Sequence, residues 1–260
     1  MTRISQTYTT KTHTIDAFHR GRFHLSQSRE GHRAGLDALL LAATVNDERA
    51  VRYADFGSGS GAVGCAIAAR LPHARVSLVE NDPQSLRDAA ATLALPQNAS
   101  FADRVTIISA DLSARGAARR SSGLAPDAFD HVLTNPPFDP KEYGRPSPIA
   151  RKATAHVMAT SLLQDWSRTA AATLRHGGTM TMILRPANLP GLIAAWVGRF
   201  SGPSIRPIHT SNGPATRILV RGRRGTKEPL AIHSSIVLRE NGEETELAKR
   251  IATGKAVIEI

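Results

Sequence analysis

Asn135-Pro136-Pro137-Phe138 combine a side-chain amide, two successive positions without a backbone N–H, and a flat apolar face. They follow Phe129-Asp130-His131-Val132-Leu133, which reads as a buried strand. The prolines end that strand because they cannot donate and their φ is fixed. The set therefore sits at the carboxyl end of a strand, where open α/β sheets bind ligands. The Asn135 oxygen and the Pro136 carbonyl can each accept one hydrogen of an amino group on a planar ring. With both hydrogens held, the nitrogen lone pair is oriented and more nucleophilic, and Phe138 offers a surface on which a base stacks. The bland alternative is a strand-ending turn, since Asn-Pro starts turns and Phe138 suits a core.

A second constellation lies upstream. Val51 to Phe56 reads as a strand, running into Gly57-Ser58-Gly59-Ser60-Gly61 and a helix from Ala62 to Leu71. Glycines allow a tight turn and close approach of a ligand to the backbone, and the helix start adds free N–H groups. Glu80 ends the next strand, nineteen residues beyond Gly61, and Asp111 follows a third strand, Val105 to Ser109. Gly59 to Gly64 also fits the dinucleotide pattern G-x-G-x-x-G, with Glu80 as its ribose acid. Three features favour S-adenosylmethionine over NAD. Asp55, just before the glycines, can hold a methionyl ammonium but repels a pyrophosphate. Glu80 and Asp111 suit the ribose and adenine ends of one adenosine. Asn135 to Phe138 have no task in hydride transfer. A sulfonium is already a good leaving centre, so positioning of the amine in line with the methyl group is the main catalytic demand, and Asn135 and Pro136 stabilise the charge that develops on nitrogen.

The elements that must position these residues read as an α/β chain of the nucleotide-binding kind: strand, glycine turn, helix, then further strand–helix units. Helices are expected over Pro83 to Leu95, Ala155 to Leu174 (closed by His176-Gly177-Gly178) and Leu189 to Phe200, and a fifth strand over Met180 to Leu184. Ile205 to Ile208 and Arg217 to Val220 flank Ser211-Asn212-Gly213-Pro214 and read as a hairpin. Leu230 to Leu238 adds a strand and Thr245 to Ile251 a short helix. The expected divisions are an N-terminal helical arm over 1–45 covering the site, a catalytic domain over 46–225, and an extension over 226–260 packed on it. In the arm, Ala34 to Thr44 is apolar apart from Asp37. That carboxylate is either a solvated charge or, just after Arg33, a contact to the cofactor pocket.

The 260 residues carry a net charge of +11 and a pI near 10.7, an excess that favours an anionic partner, nucleic acid first. The cations gather around Arg20 to Arg33, in a basic loop with Lys141 and Arg145, and in Arg221-Gly222-Arg223-Arg224. A single cysteine, Cys65, excludes internal disulfides and cysteine-based zinc sites. His13, His19, His24 and His32 lack metal-ligand spacing, so no metal is expected. No apolar run is long enough to span a membrane and no signal peptide is read, which places the protein in the cytoplasm by elimination.

Asp55-Phe56-Gly57-Ser58-Gly59-Ser60-Gly61, Glu80, Asp111 and Asn135-Pro136-Pro137-Phe138 together resemble the class I S-adenosylmethionine-dependent methyltransferases that methylate amino groups. Gly31 to Ala43, and Pro214-Ala215-Thr216-Arg217 through Gly225, resemble the bacterial tRNA(Val) adenine-N6 methyltransferase family, over roughly residues 20 to 260. The resemblance implies a Rossmann-like sheet of seven strands with its last pair antiparallel, S-adenosylmethionine as methyl donor, and methylation of an exocyclic adenine nitrogen in a tRNA anticodon loop. It implies that Asn135 to Phe138 hold a flipped-out base, that Arg33 and Asp37 roof the pocket, and that basic loops (Lys141, Arg145, Arg223, Arg224) follow phosphates. Other acceptors stay open: a ribosomal guanine, a protein glutamine or a small-molecule hydroxyl. So do an NAD-dependent oxidoreductase and a non-catalytic RNA-binding module.

Overall fold

The computed structural model describes residues 12–30, 33–46, 51–137 and 148–260. The chain opens with a β-hairpin, β1 (His13–Phe18) and β2 (Phe23–Ser28), paired in register from His13 opposite Ser28 to Phe18 opposite Phe23. Among the described residues of the expected arm, the α-helix is α1 (Leu36–Ala42), and the stretch before it is this hairpin. Phe23 and Leu25 alternate into the core, Phe18 stacks on Phe23 at 5.3 Å, and the left-handed His19, Arg20 and Gly21 turn the chain between the strands. An alternating pattern with left-handed turn residues is a strand signal.

The central layer follows as β3 (Arg52–Phe56), α2 (Ala62–Arg70), β4 (Arg75–Glu80), α3 (Pro83–Leu93), β5 (Val105–Ser109), α4 (Gly116–Ser121) and β6 (Phe129–Thr134). Then come α5 (Pro148–Thr173), β7 (Leu174–Leu184), α6 (Leu189–Trp196), β8 (Phe200–His209) and β9 (Arg217–Arg224). The chain ends with β10 (Ala231–Ile232), β11 (Ile236–Val237), a small antiparallel pair β12 (Arg239–Glu240) and β13 (Glu243–Glu244), and α7 (Glu246–Ala252). Strands β3 to β7 are parallel, β9 lies antiparallel between β7 and β8, and the order is β10-β8-β9-β7-β6-β3-β4-β5. The sheet has nine strands where seven were expected, because 230–238 splits into two short strands that both add to β8.

Helix α5 runs into β7 without a break, so the expected helix end at His176-Gly177-Gly178 is a bulge in the strand instead. Leu174 pairs with Phe129 and Thr179 with His131, leaving the residues between looped out. Gly178 fits there because a Cβ would stand 2.9 Å from the Arg175 carbonyl and 3.0 Å from that of Asp130. Two apolar cores lie on the two faces of the sheet. One joins the hairpin, α1, α2, α7 and the C-terminal tail; the other joins α5 and α6, with Trp196 at its centre. Cys65 on α2 is fully buried in the first, where burial and then Asp55 push its thiol pKa upward.

The tail is tied down by partly buried guanidinium groups. Arg70 donates to the carbonyls of Ala42, Val45, Gly254 and Ala256, and Arg221 to those of Thr44 and Ile260 and to Thr181 Oγ1. Burial lowers the pKa of both, that of Arg221 to about 10.

Candidate active site at the sheet switch point

The strand order reverses between β3 and β6, the place where open α/β sheets leave a crevice. Thr134 Oγ1 donates to the Phe56 carbonyl at 2.8 Å, so the two strand ends are locked side by side. A cavity of about 320 Å³ opens there. Its floor is Asp55, Gly57 to Ser60, Ala62 and Val63; Asn135 stands on one side, and Asp82, Gln84, Ser85 and Asp88 of the α3 start on the other. Gln27, Ser28, Ala34 and Ala38 roof it.

Each glycine of the turn meets a different demand. Gly57 has φ +67°, and a Cβ there runs into the indole of Trp166 on α5. Gly61 has φ +90°, and a Cβ would stand 2.8 Å from Leu78. Gly59 has φ +54° with open space where its side chain would be. Gly57 and Ser58 donate their N–H groups to the Val79 carbonyl at 2.9 and 3.2 Å, which folds the turn over the end of β4.

Asp55 is 2% exposed and accepts the Gly64 N–H at 3.0 Å from the first turn of α2. Burial pushes its pKa up to about 7; the Gly64 N–H pulls the other way and Glu80 adds to the rise. A carboxylate so placed gains from a cation. Ser58, 8% exposed, keeps a buried Oγ with no protein partner at the same cavity. A buried acid next to an unused hydroxyl and a run of free backbone fits the ammonium, carboxylate and sugar of S-adenosylmethionine.

The other residues singled out in the sequence are placed as follows. Glu80 accepts the N–H of Gly59 at 3.0 Å with one oxygen and those of Asn81 and Asp82 with the other, so it braces the glycine turn. Asp82 caps α3 through Ser85 N at 2.7 Å. Asp111 closes its own turn, accepting from Ser113 N and Oγ at 2.8 and 2.7 Å. Asp37 does not line the cavity; it pairs with Arg217 Nε at 2.7 Å. Arg33 pairs with Asp16 at 2.5 Å and also donates to Thr14 and Ser28. Pro136 is buried and Pro137 partly so. Phe138, Lys141 and Arg145 lie outside the described residues, as does His32.

Arg223 and Arg224 are not brought to the site. Their strand runs antiparallel to β7, and Arg223 pairs with Thr179, which stands opposite His131 on β6, so both arginines lie back along the sheet from Asn135. Arg223 faces Glu228 at 3.3 Å and Arg224 faces Asp127 at 2.8 Å. Sequence reading missed Gln27 and Ser28 of β2 and Gln84 and Asp88 of α3, which carry no motif. The available signal was polar residues at the inward end of an alternating strand. There Gln27 accepts Ala34 N at 2.7 Å, and across the cavity Asp88 accepts from Gln84 at 2.8 Å and bonds His13 at 3.0 Å.

A family model described as the methyltransferase small domain matches residues 33–190, the stretch that carries the turn, Glu80, Asp111 and Asn135. The chain belongs to this family. It is thus a class I, Rossmann-like member of the S-adenosylmethionine-dependent methyltransferases. Among curated relatives it is 28% identical to the tRNA1(Val) (adenine(37)-N6)-methyltransferase of Histophilus somni over 63% of this chain and 65% of that one. It is 32% identical to the enzyme of the same name from Porphyromonas gingivalis over 47% and 48%. The matched region thus spans about half to two thirds of these relatives. A crystal structure from Agrobacterium tumefaciens, described as a predicted O-methyltransferase, superposes with a TM-score of 0.75 at 36% identity, over 86% of this chain and 99% of that one. Among the described residues, no helix of this methyltransferase is long and apolar enough to cross a membrane, and no group of three or more His, Cys, Asp or Glu is placed to hold a metal ion.

Proposed function

We propose that this methyltransferase transfers the methyl group of S-adenosylmethionine to the exocyclic N6 of an adenine in RNA, with tRNA as the substrate class and the cytoplasm as its place of work. The observation that carries this reading is that Asn135 opens onto the same cavity as Asp55 and the glycine turn. A donor held at the turn and an amine held by Asn135 then face each other across one enclosed space. Asn135 Oδ1 and the Pro136 carbonyl take the two amine hydrogens, and Phe138 stacks on the base. When bound, S-adenosylmethionine would supply a methyl group already activated by its sulfonium, leaving as the neutral thioether; an amine held as neutral nitrogen by Asn135 and Pro136 would need no base before attack and would lose its proton afterwards to water.

Asp55 and Ser58 suit the methionyl ammonium and carboxylate. Glu80 suits the ribose hydroxyls, keeping its backbone contacts through its remaining lone pairs. Asp111, two residues past the end of β5, suits the adenine amino group. The names of the relatives, adenine-N6 methyltransferases of tRNA, support the acceptor, as does the positive charge of the chain.

The test is incubation with methyl-labelled S-adenosylmethionine and, separately, total bacterial RNA, total protein and a panel of small phenols and catechols. Label recovered as N6-methyladenosine from the tRNA fraction is the expected result. Label in methylguanosine, in methylglutamine or on a hydroxyl would keep the methyl transfer and overturn the acceptor.

A further inference from the structure

The end of the hairpin remote from the cavity carries a set of cations that the methyl-transfer chemistry does not use. His19 and Arg20, at φ 47° and 56°, are non-glycine residues in the left-handed region, side by side, a conformation that structures keep where the surroundings impose it. His19 is 3% exposed, its Nδ1 has no partner, and it packs on Gly254, where a Cβ would stand 2.7 Å from that same nitrogen. This contact brings two basic segments together. Arg20 and Arg22 follow His19; Lys255 follows Gly254, and Arg250 donates to the Lys255 carbonyl at 3.2 Å. All four cations are exposed, and none is ion-paired with a carboxylate among the described residues. Partly buried Arg70 lies close to His19 and Arg22 and donates to carbonyls. The crowding is felt locally: burial, then Arg70 and Arg22, lower the His19 pKa to about 4.

Contrast Arg223 and Arg224, each answered by an acid. We infer that Arg20, Arg22, Arg250 and Lys255 form a docking surface for an RNA phosphate backbone, at the end of the hairpin opposite the catalytic cavity. The inference rests on the RNA reading above and adds where the nucleic acid is gripped. Gln27 and Ser28 line the cavity while Phe18 and Phe23 end the hairpin at the patch. Four to five steps along β2 separate Phe23 from Gln27 and Ser28, roughly 13–17 Å at about 3.3 Å per residue. A base in the cavity and a phosphate at the patch therefore belong to different parts of the RNA, beyond the span of a single flipped nucleotide. The patch fits a helical stem leading away from the modified loop.

The experiment compares wild type with the Arg20→Asn/Arg22→Gln double variant, asparagine being tolerated at a left-handed position. A second double variant, Arg250→Gln/Lys255→Gln, reaches the patch from the other segment. Binding of full-length tRNA and of a single-stranded oligonucleotide of the modified loop alone is measured over a series of KCl concentrations, beside methyl transfer to each and the thermal midpoint. Each variant is expected to keep its midpoint and its kcat on the loop oligonucleotide. Its full-length tRNA affinity should fall by about tenfold, with a log–log salt slope smaller by about one per contact removed. Unchanged salt slopes in both variants, or an equal loss on the loop oligonucleotide, would overturn the patch. If wild type methylates no RNA, the functional reading fails instead, and the salt slope for tRNA still decides whether the patch holds phosphates.

Discussion

Asp37 and Arg217, 180 residues apart in the chain, meet at 2.7 Å, joining the start of α1 to the start of β9. Each side chain is about one third exposed. Ala34 and Ala38, on either side of Asp37, roof the cavity, so the pair fixes the roof against the start of β9 within the sheet. Partly exposed ion pairs contribute under about 1 kcal/mol, so Asp37→Asn and Arg217→Gln should each shift the thermal midpoint by only a few degrees. Both should raise the KM for the acceptor more than the cofactor Kd, and the double variant should be no worse than either single one. Strictly additive losses in the double-mutant cycle would show that the two residues act separately.

Asn135 faces the cavity without belonging to the glycine turn. Asn135→Ala should abolish methyl transfer, by about 100-fold or more where a charge-stabilising acceptor is lost, and leave cofactor affinity within a fewfold of wild type. Calorimetric titration beside a single-turnover assay separates the two. A parallel loss of cofactor binding would make Asn135 a scaffold for the turn.

The buried carboxyl of Asp55 sets a pH dependence whose sign is fixed. Its native pKa, pushed up to about 7, exceeds the ordinary 3.8, so between those values the native state holds a proton that the unfolded chain has released. Stability from this group is complete below pH 3.8 and is lost as pH rises through 7. Asp55→Asn keeps an acceptor for the Gly64 N–H and removes the titration. In the absence of cofactor it should gain stability over wild type as pH rises from 6 to 8, by denaturant unfolding, while binding S-adenosylmethionine more weakly. A gap that does not widen with pH would show that Asp55 ionises freely in the native protein.

Gly57 and Gly59 separate folding from binding within one turn. Gly57→Ala meets both a left-handed φ and the Trp166 ring, and should cost about 2–4 kcal/mol of stability. Gly59→Ala meets only the φ, so its cost is about 1–2 kcal/mol, but its methyl projects into open space beside the cavity. Chemical denaturation should rank Gly57→Ala lower in stability. Cofactor titration should show the disproportionate loss in Gly59→Ala.

The parallel strands were legible because each is a short apolar run punctuated by glycine, proline or an acid; β5 falls at the expected Val105 to Ser109. The glycine turn and Asn135 were legible for the same reason, since local spacing alone places them at strand ends. The hairpin was not. Its six-residue strands mix Thr, Asp, Ser and Gln with apolar residues, and their burial is decided by α3 and α1 rather than by the hairpin itself. The Asp37–Arg217 pair and the remoteness of Arg223 and Arg224 depend on the direction in which β9 returns across the sheet, which no local pattern encodes. Asp111 was singled out by its position past a strand tip; its contacts to Ser113, two residues on, are a turn that position alone does not reveal.

The sole cysteine of the chain makes it a clock for its own opening. Cys65 is fully buried, and its Sγ lies 3.5 Å from where a side chain on Gly61 would begin, directly behind the cofactor turn. With the thiolate suppressed and the sulfur walled off, a thiol reagent can reach it only in the moments when α2 lifts from β4. The labelling rate then counts those excursions, with no engineered residue. Any small molecule that seats on the glycine turn should slow the count in proportion to its occupancy, which turns a single buried sulfur into a binding assay that needs neither substrate nor turnover.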